Sequence, residues 1–289
     1  MTDHGPFTEV ADRVWVRRHP WLDVTTTVVA GDAGVLVVDT GGSSAVAREH
    51  VRAVRHLSTL PVLAVVNTHW HFDHTFGNAA FHEAWPQAEL WAHEDAADEL
   101  AGRGAAALVE LGSPGHPDSD GHHAEVAATD LLVPDHSFSA ARALHLGDRL
   151  VEVLHPGRGH TAGDSVVHVP DARVLLAGDL VEESGPPGYG DDCYPLAWPA
   201  TLDVVLGLLH EDSVVVPGHG ASVDRDFVVE QRGRIGEVAE TVRGLAAQGV
   251  GPGEALAAAE WPWPREGLRH AVARGYAHLP RDARRLPLV

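Results

Sequence analysis

Four short apolar runs in this chain each lead into a histidine or an aspartate on a turn, and that repetition narrows the fold more than any other feature. Val62 to Val66 delivers Asn67-Thr68 and then His69-Trp70-His71-Phe72-Asp73-His74. Leu150 to Leu154 leads to His155-Pro156-Gly157-Arg158-Gly159-His160-Thr161. Val174 to Leu176 leads to Ala177-Gly178-Asp179, and Val214 to Val216 leads to Pro217-Gly218-His219-Gly220. Apolar runs this short, bounded by turn residues, read as buried strands. Reactive side chains at strand ends, on Gly-rich loops, are what a site on a rigid scaffold requires.

The residue types point to metal. Borderline-soft divalent ions favour imidazole nitrogen and accept carboxylate oxygen as a harder supplement. Chance matches to H-x-H-x-D-H in a chain with this His and Asp content number roughly 0.01. His69 and His71 share one side of an extended segment, whereas Asp73 and His74 fall past the bend, which suits two adjacent ions better than one. Any one of the later segments alone would be an ordinary turn.

The rest of the chain supplies strands and helices in two rounds. Arg13 to Arg17 and Thr25 to Val29 are rich in β-branched residues, and Val35 to Val38 ends on Asp39-Thr40-Gly41-Gly42. Ser43 or Ser44 can cap a helix running to about Leu57. Glu89 to Ala92 is expected as a strand, Glu94 to Leu111 as a helix, and 112–123 as a loop. Ala143 to Leu146, Leu150 to Leu154, Ser165 to Val169 and Val174 to Leu176 resemble a meander. Helices are expected over Thr201 to Leu209, Asp226 to Gln248 and about Arg265 to His278. There is no strict βαβ alternation, no fixed-period repeat and no low-complexity linker, so residues 1–289 read as one domain.

Charge and composition remove several function classes. The formal net charge is -20, and all 21 basic residues are arginine. Phosphate-backbone affinity comes from neutralising Lys and Arg, so a nucleic-acid partner is not expected. With no lysine, Schiff-base and P-loop chemistry are excluded. Cys193 is the one cysteine, so neither an intrachain disulfide nor a Cys-rich zinc site can form. Met1 to Pro6 has no signal-peptide pattern, and no window approaches 18 consecutive apolar residues. A cytoplasmic protein with no membrane partner is the expectation. A homo-oligomer stays open, because Trp261-Pro262-Trp263-Pro264 could cover an interface or staple the last helices; packing is the commoner use of such residues.

H-W-H-F-D-H, G-H-T-A-G, A-G-D and P-G-H-G, in this order and spacing, resemble the metallo-β-lactamase superfamily over roughly residues 10 to 225. The resemblance implies an α+β fold, a four-layer αββα sandwich with the site at one edge, and a helical extension from about residue 226. It implies a first ion on His69, His71 and His160, a second on Asp73, His74 and His219, and Asp179 bridging both. Asp39 matches an early aspartate that would order the His loop. Two Zn2+ are the expected cofactors, with iron or manganese as alternatives.

The implied chemistry is hydrolysis. Two ions about 3.5–4 Å apart can share a water, bring its pKa toward ~7, and present hydroxide to an ester, thioester, lactone or related bond of a small-molecule substrate. Asp73 is the expected catalytic residue that orients this nucleophile. Asp179 resembles the residue found in glyoxalase II and lactonases, where true β-lactamase branches typically differ, yet glyoxalase II's basic cluster is absent. Tyr189 and Tyr194, in the Gly/Pro-rich loop 185–198, are candidates for donating to an oxyanion; packing under the loop is the commoner role of such a residue. Residues 94–136 are expected as a lid, with His116, His122, His123 and His136 as surface residues, and His93 and His155 as outer supports of the site. Cys193 reads as inert. The rival readings are a mononuclear iron enzyme resembling persulfide dioxygenases, a β-lactam hydrolase, and a non-catalytic metal-binding protein.

Overall fold

The computed structural model describes residues 6–280. The apolar runs form two sheets. The first takes β1 (Thr8–Ala11), β2 (Val14–Arg18), β3 (Thr25–Ala30), β4 (Val35–Val38), β5 (Val62–Val66), β6 (Glu89–His93) and β7 (His136–Phe138) in chain order. Its first four strands pair antiparallel, and β4 through β7 pair parallel. The second sheet follows with β8 (Ala141–His145), β9 (Leu150–Leu154), β10 (Val166–Val169), β11 (Val174–Glu182) and β12 (Val214–His219), in the order β12-β11-β10-β9-β8. Neighbours from β8 to β11 run antiparallel, and β11 pairs parallel with β12.

Strand alternation explains the layering. Val29, Leu36, Val38, Ala64 and Val66 of the first sheet face one cluster with Val151, Val153, Val167, Val169, Val174 and Leu176 of the second. Their neighbours Val28, Val35, Val37 and Val65 turn outward onto the helices Ser44–Leu57 and Asn78–Ala84. On the far side, Leu175, Ala177 and Val215 pack against the helices Trp198–Leu208, Arg225–Ala247 and Arg269–His278. Two sheets face to face with helices on both outer surfaces make the expected αββα sandwich.

Several expected boundaries shift. Ser43 does cap its helix, accepting from the Val46 N–H. β11 does not stop at Leu176 but runs on to Glu182, buried throughout, and β12 includes His219. Asp179 and His219 therefore sit within strand ends rather than on loops after them. The expected loop 112–123 contains a 3-10 turn, Pro117–Ser119, and is followed by a short helix, His123–Ala127. The last expected helix is split into a 3-10 turn, Arg265–Leu268, and Arg269–His278. Trp261 and Trp263 are partly buried against the cores beneath these helices.

Candidate metal centre

β5 ends at Val66 and passes directly into the histidine segment. Asn67 donates to the His74 carbonyl and to Asn78 Oδ1, which folds the following turn back on the strand. The segment Phe72–Thr75 is a single helical turn that carries Asp73 and His74, and it brings the His74 ring to 4.3 Å from that of His69. Thr75 Oγ1 ties it down by donating to the Trp70 and His71 carbonyls. The second sheet supplies the opposite side. Gly178 takes φ +52 against Thr68, a conformation that favours glycine. A Cβ at Gly218 would overlap the Asp179 carboxylate, so glycine is required there for β12 to pass β11. Asp164 shapes the loop carrying His160, accepting from Thr161 N–H and Oγ1 and from Gly159 N–H.

All seven residues singled out by the motifs come together. His69, His71, His160 and Asp179 form one group of ligand-type atoms within 4.8 Å of one another, and Asp73, His74 and His219 form a second. Asp179 stands between them. Its Oδ2 lies 3.4 Å from His160 Nε2, 3.8 Å from His69 Nε2 and 3.2 Å from His219 Nε2, and its Oδ1 lies 3.2 Å from His74 Nε2. Asp73 Oδ2 reaches His219 Nε2 at 3.3 Å and His74 Nε2 at 3.6 Å. Glu182, with no motif to announce it, joins Asp179 and His219 in a third grouping.

Each imidazole has its outer nitrogen engaged, and the acceptors decide the tautomers. Carbonyls and carboxylates only accept, so the ring nitrogen facing them carries the hydrogen. His160 Nδ1 donates to the Gly188 carbonyl at 2.6 Å and His219 Nδ1 to the Leu22 carbonyl at 2.7 Å. His74 Nδ1 meets Asp39 Oδ2 at 2.8 Å, and His71 Nε2 meets Asp192 Oδ2 at 3.1 Å. Thr68 Oγ1 donates to Asp39, leaving its lone pairs to His69 Nδ1 at 3.1 Å. The inner nitrogens consequently converge on one small space. His71 Nδ1 and His160 Nε2 are 2.7 Å apart, and His74 Nε2 and His219 Nε2 are 3.4 Å apart. Among the described residues, His69 Nε2 and Asp179 Oδ1 are buried without a hydrogen-bond partner. Such orphaned atoms beside crowded ring nitrogens suit a divalent cation, which would take the place of the protons held there.

The electrostatics agree. Burial, reinforced by the nearby His74, holds His69 well below the usual histidine range, and burial beside His71 brings His160 down to about 4. His74 and His219 go the other way. Burial opposes their protonation, but the carboxylates of Asp179 and Asp73 override it and raise both. Those same contacts outweigh burial at the carboxylates, taking Asp73 to about 2 and Asp179 well below the ordinary range. Two ionised carboxylates among five imidazoles form a site whose bound protons a cation would displace.

The cleft above these groups has a volume of about 540 Å³. Helix Glu94–Leu111 and the loop after it form one wall, through Arg103, Ala107, Leu111 and His116. His116 is thus a cleft residue, not simply a surface one. His122 stacks on Trp21 at 4.2 Å, and Trp21 Nε1 donates to the Asp118 carbonyl, which pins this loop. His123 begins a short helix, and His136 stacks on Trp91 at 4.8 Å.

The structure places both tyrosine candidates in packing contacts. Tyr189 is buried against Trp198, with ring centroids 5.1 Å apart. Tyr194 stacks on His278, with the Arg158 and Arg274 guanidinium groups over its ring. Neither lines the cleft. Tyr189 belongs to one core cluster with Leu180, Cys193 and Trp198, the packing role that is commoner for such a residue. Cys193 is buried, and burial, with Asp192 nearby, pushes its thiol up to about 12. His93 and His155 stack at 4.0 Å, and His155 Nδ1 donates to the Asp164 carbonyl. Asp192, which motif reading passed over, accepts from Trp70 Nε1 at 2.7 Å as well as from His71.

Comparison with known proteins follows the same lines. The Metallo-beta-lactamase superfamily model matches residues 19–227. The chain is 29% identical over 196 residues to 2,4-dinitroanisole O-demethylase subunit alpha of Nocardioides sp. (strain JS1661), covering 67% of this chain and 52% of that one. It is 29% identical over 224 residues to acyl-coenzyme A thioesterase MBLAC2 of Bos taurus, covering 70% and 73%. The chain thus spans about half the length of the demethylase subunit. A metallo-beta-lactamase from Pontibacter korlensis superposes with a TM-score of 0.65 at 22% identity, covering 80% of this chain and 98% of that one. A match over residues 19–227, together with the sandwich and its His/Asp clusters, means that the chain belongs to the metallo-β-lactamase superfamily.

Proposed function

We propose that this protein is a dinuclear zinc hydrolase acting on an ester, thioester, lactone or related bond of a small-molecule substrate. The observation that carries the reading is Asp179, whose Oδ2 lies 3.4 Å from His160, 3.8 Å from His69 and 3.2 Å from His219 while its Oδ1 lies 3.2 Å from His74, so that one carboxylate reaches both groups. On this reading His69, His71 and His160 hold one ion, Asp73, His74 and His219 hold the second, and Asp179 serves both. The all-nitrogen-and-oxygen donor set suits zinc, and iron or manganese accept the same donors. When bound, the metal pair supplies a Lewis acid and a water of lowered pKa.

The chain's own residues do the positioning. Asp39, Asp192, Thr68 and the Gly188 and Leu22 carbonyls fix the five imidazoles by their outer nitrogens. Asp73, kept ionised, accepts a hydrogen bond from the attacking water and orients it. The pinned wall of Arg103, Leu111 and His116 limits bulk water around the reacting bond. We also assign residues 1–289 to one domain, because the helix Arg225–Ala247 shares its buried residues Val228, Ile235 and Val238 with the second sheet. Among the described residues no helix is long and apolar enough to cross a membrane.

The test is metal counting joined to a substrate panel. Near two zinc per chain, with chelator-sensitive turnover of a lactone, thioester, phosphodiester or β-lactam that Asp73→Ala abolishes, is the expected result. One iron per chain with oxygen consumption would replace this reading with the dioxygenase one.

A further inference from the structure

Resting on the hydrolase reading, we propose that the cleft admits substrates that are neutral or cationic beside the reacting bond and apolar on one side, and rejects those carrying a carboxylate, sulfate or phosphate there. The cleft, at about 540 Å³, is of small-ligand size. Trp70, Phe72, Ala107 and Leu111 give it an apolar wall that belongs to one hydrophobic cluster. Beyond Asp73 and Asp179, the lining carries four more carboxylates, on Glu110, Asp118, Asp191 and Asp192. These acids line the same cleft as Asp73, His71 and Asp179 of the proposed metal centre.

Nothing comparable awaits an anion. The chain has no lysine, and the one arginine lining the cleft offsets a single one of the wall carboxylates while being held by them. Arg103 lies 3.0 Å from Asp191, 3.5 Å from Glu99 and 3.7 Å from Asp192, and its guanidinium sits 4.6 Å over the Trp70 ring. His116 faces Glu110 at 3.7 Å. Among the described lining residues, His270 alone is left to meet an anion. Screening erases distant charges within about 8–10 Å at physiological salt, so the wall carboxylates decide the preference rather than the overall charge of the chain. Clefts lined by one sign of charge change encounter by about tenfold or more. Substrates sharing one reacting bond place it alike on the bound ions, whose positive charge favours the carboxylate ester, so a preference against that ester would come from the walls.

The experiment uses the zinc-loaded full chain and three 4-nitrophenyl esters of matched length, ending in methyl, trimethylammonium or carboxylate. Expected is a kcat/KM for the methyl and trimethylammonium esters at least about tenfold above the carboxylate ester, with the gap narrowing as salt rises. Equal or faster turnover of the carboxylate ester, or a gap that ignores salt, overturns the proposal. Asp191→Asn removes one wall carboxylate and one of the three acids around Arg103, and should raise the carboxylate-to-methyl ratio several-fold; an unchanged ratio counts against it. Calorimetry with phenylmethanethiol and 4-(sulfanylmethyl)benzoate reads the same walls without turnover. If every ester is inert but the anionic thiol binds at least about tenfold more weakly, the hydrolase reading falls and the charge rule stands. If the two thiols bind alike, the charge rule falls.

Discussion

Asp192 Oδ2 lies 3.1 Å from His71 Nε2, joining a loop beyond β11 to a histidine 121 residues earlier in the chain. Burial opposes ionisation of Asp192, but the His71 hydrogen bond and charge outweigh it and hold the carboxyl well below its usual range. The same pair raises His71 against the burial that would lower it. A carboxylate behind a ligating imidazole fixes its tautomer and raises its basicity, and losing one typically costs 10–100-fold in metal affinity. Asp192→Asn is therefore expected to weaken zinc binding by about 10–100-fold in a chelator competition. Wild-type affinity in that variant would show the contact to be idle.

Asp39 has φ +60, uncommon for a residue with a side chain. Its carboxylate accepts from Thr68 N–H, Thr68 Oγ1 and His74 Nδ1, each at 2.8 Å. Asp39→Ala strands three buried donors, and each costs about 1–3 kcal/mol. Alanine keeps the positive φ, and local water entry recovers part of that. The metal-free variant should lose about 3 kcal/mol in urea unfolding, whereas a loss under about 1 kcal/mol would mean the turn holds without Asp39.

The seven clustered residues were legible because each sits where an apolar period breaks into turn chemistry, and because His and Asp are side chains with a signature. The supports of His160 and His219 were not. They are the carbonyls of Gly188 and Leu22, and a backbone oxygen looks the same in every residue. Asp192 sits in Gly190-Asp191-Asp192, which reads as a turn; only the folded loop brings it to Trp70 and His71. The strands β1 and β7 were missed for a related reason. TEVA and HSF are short and polar, and they pair because neighbouring strands leave an open edge for them.

Cys193 offers a check on the packing under the cleft loop. It is fully buried, its thiol is pushed up to about 12, and its carbonyl accepts from Arg274 Nε at 3.0 Å. At pH 8 little thiolate forms and reagent has no approach. Folded protein should leave an aromatic disulfide reagent unreacted over an hour, and denatured protein should release one equivalent. Rapid reaction of the folded chain would place this loop in an open arrangement.

His155 carries a pH prediction for folding. Burial, aided by the facing His93 and Arg158, lowers its pKa, against the pull of the Asp164 carbonyl bond and Asp95. Below about 6.5, the ordinary histidine value, the unfolded chain takes a proton that folded His155 resists. The unfolded state then binds more protons, so stability falls as pH drops below that value and is fully present above it. His155→Gln cannot titrate and retains a donor for the Asp164 carbonyl. In metal-free protein, the loss of unfolding free energy between pH 7.5 and 5.5 should be smaller for this variant than for wild type. The clustered histidines titrate in both proteins, so the difference isolates His155. Equal losses would mean that this imidazole is as easily protonated in the fold as in the open chain.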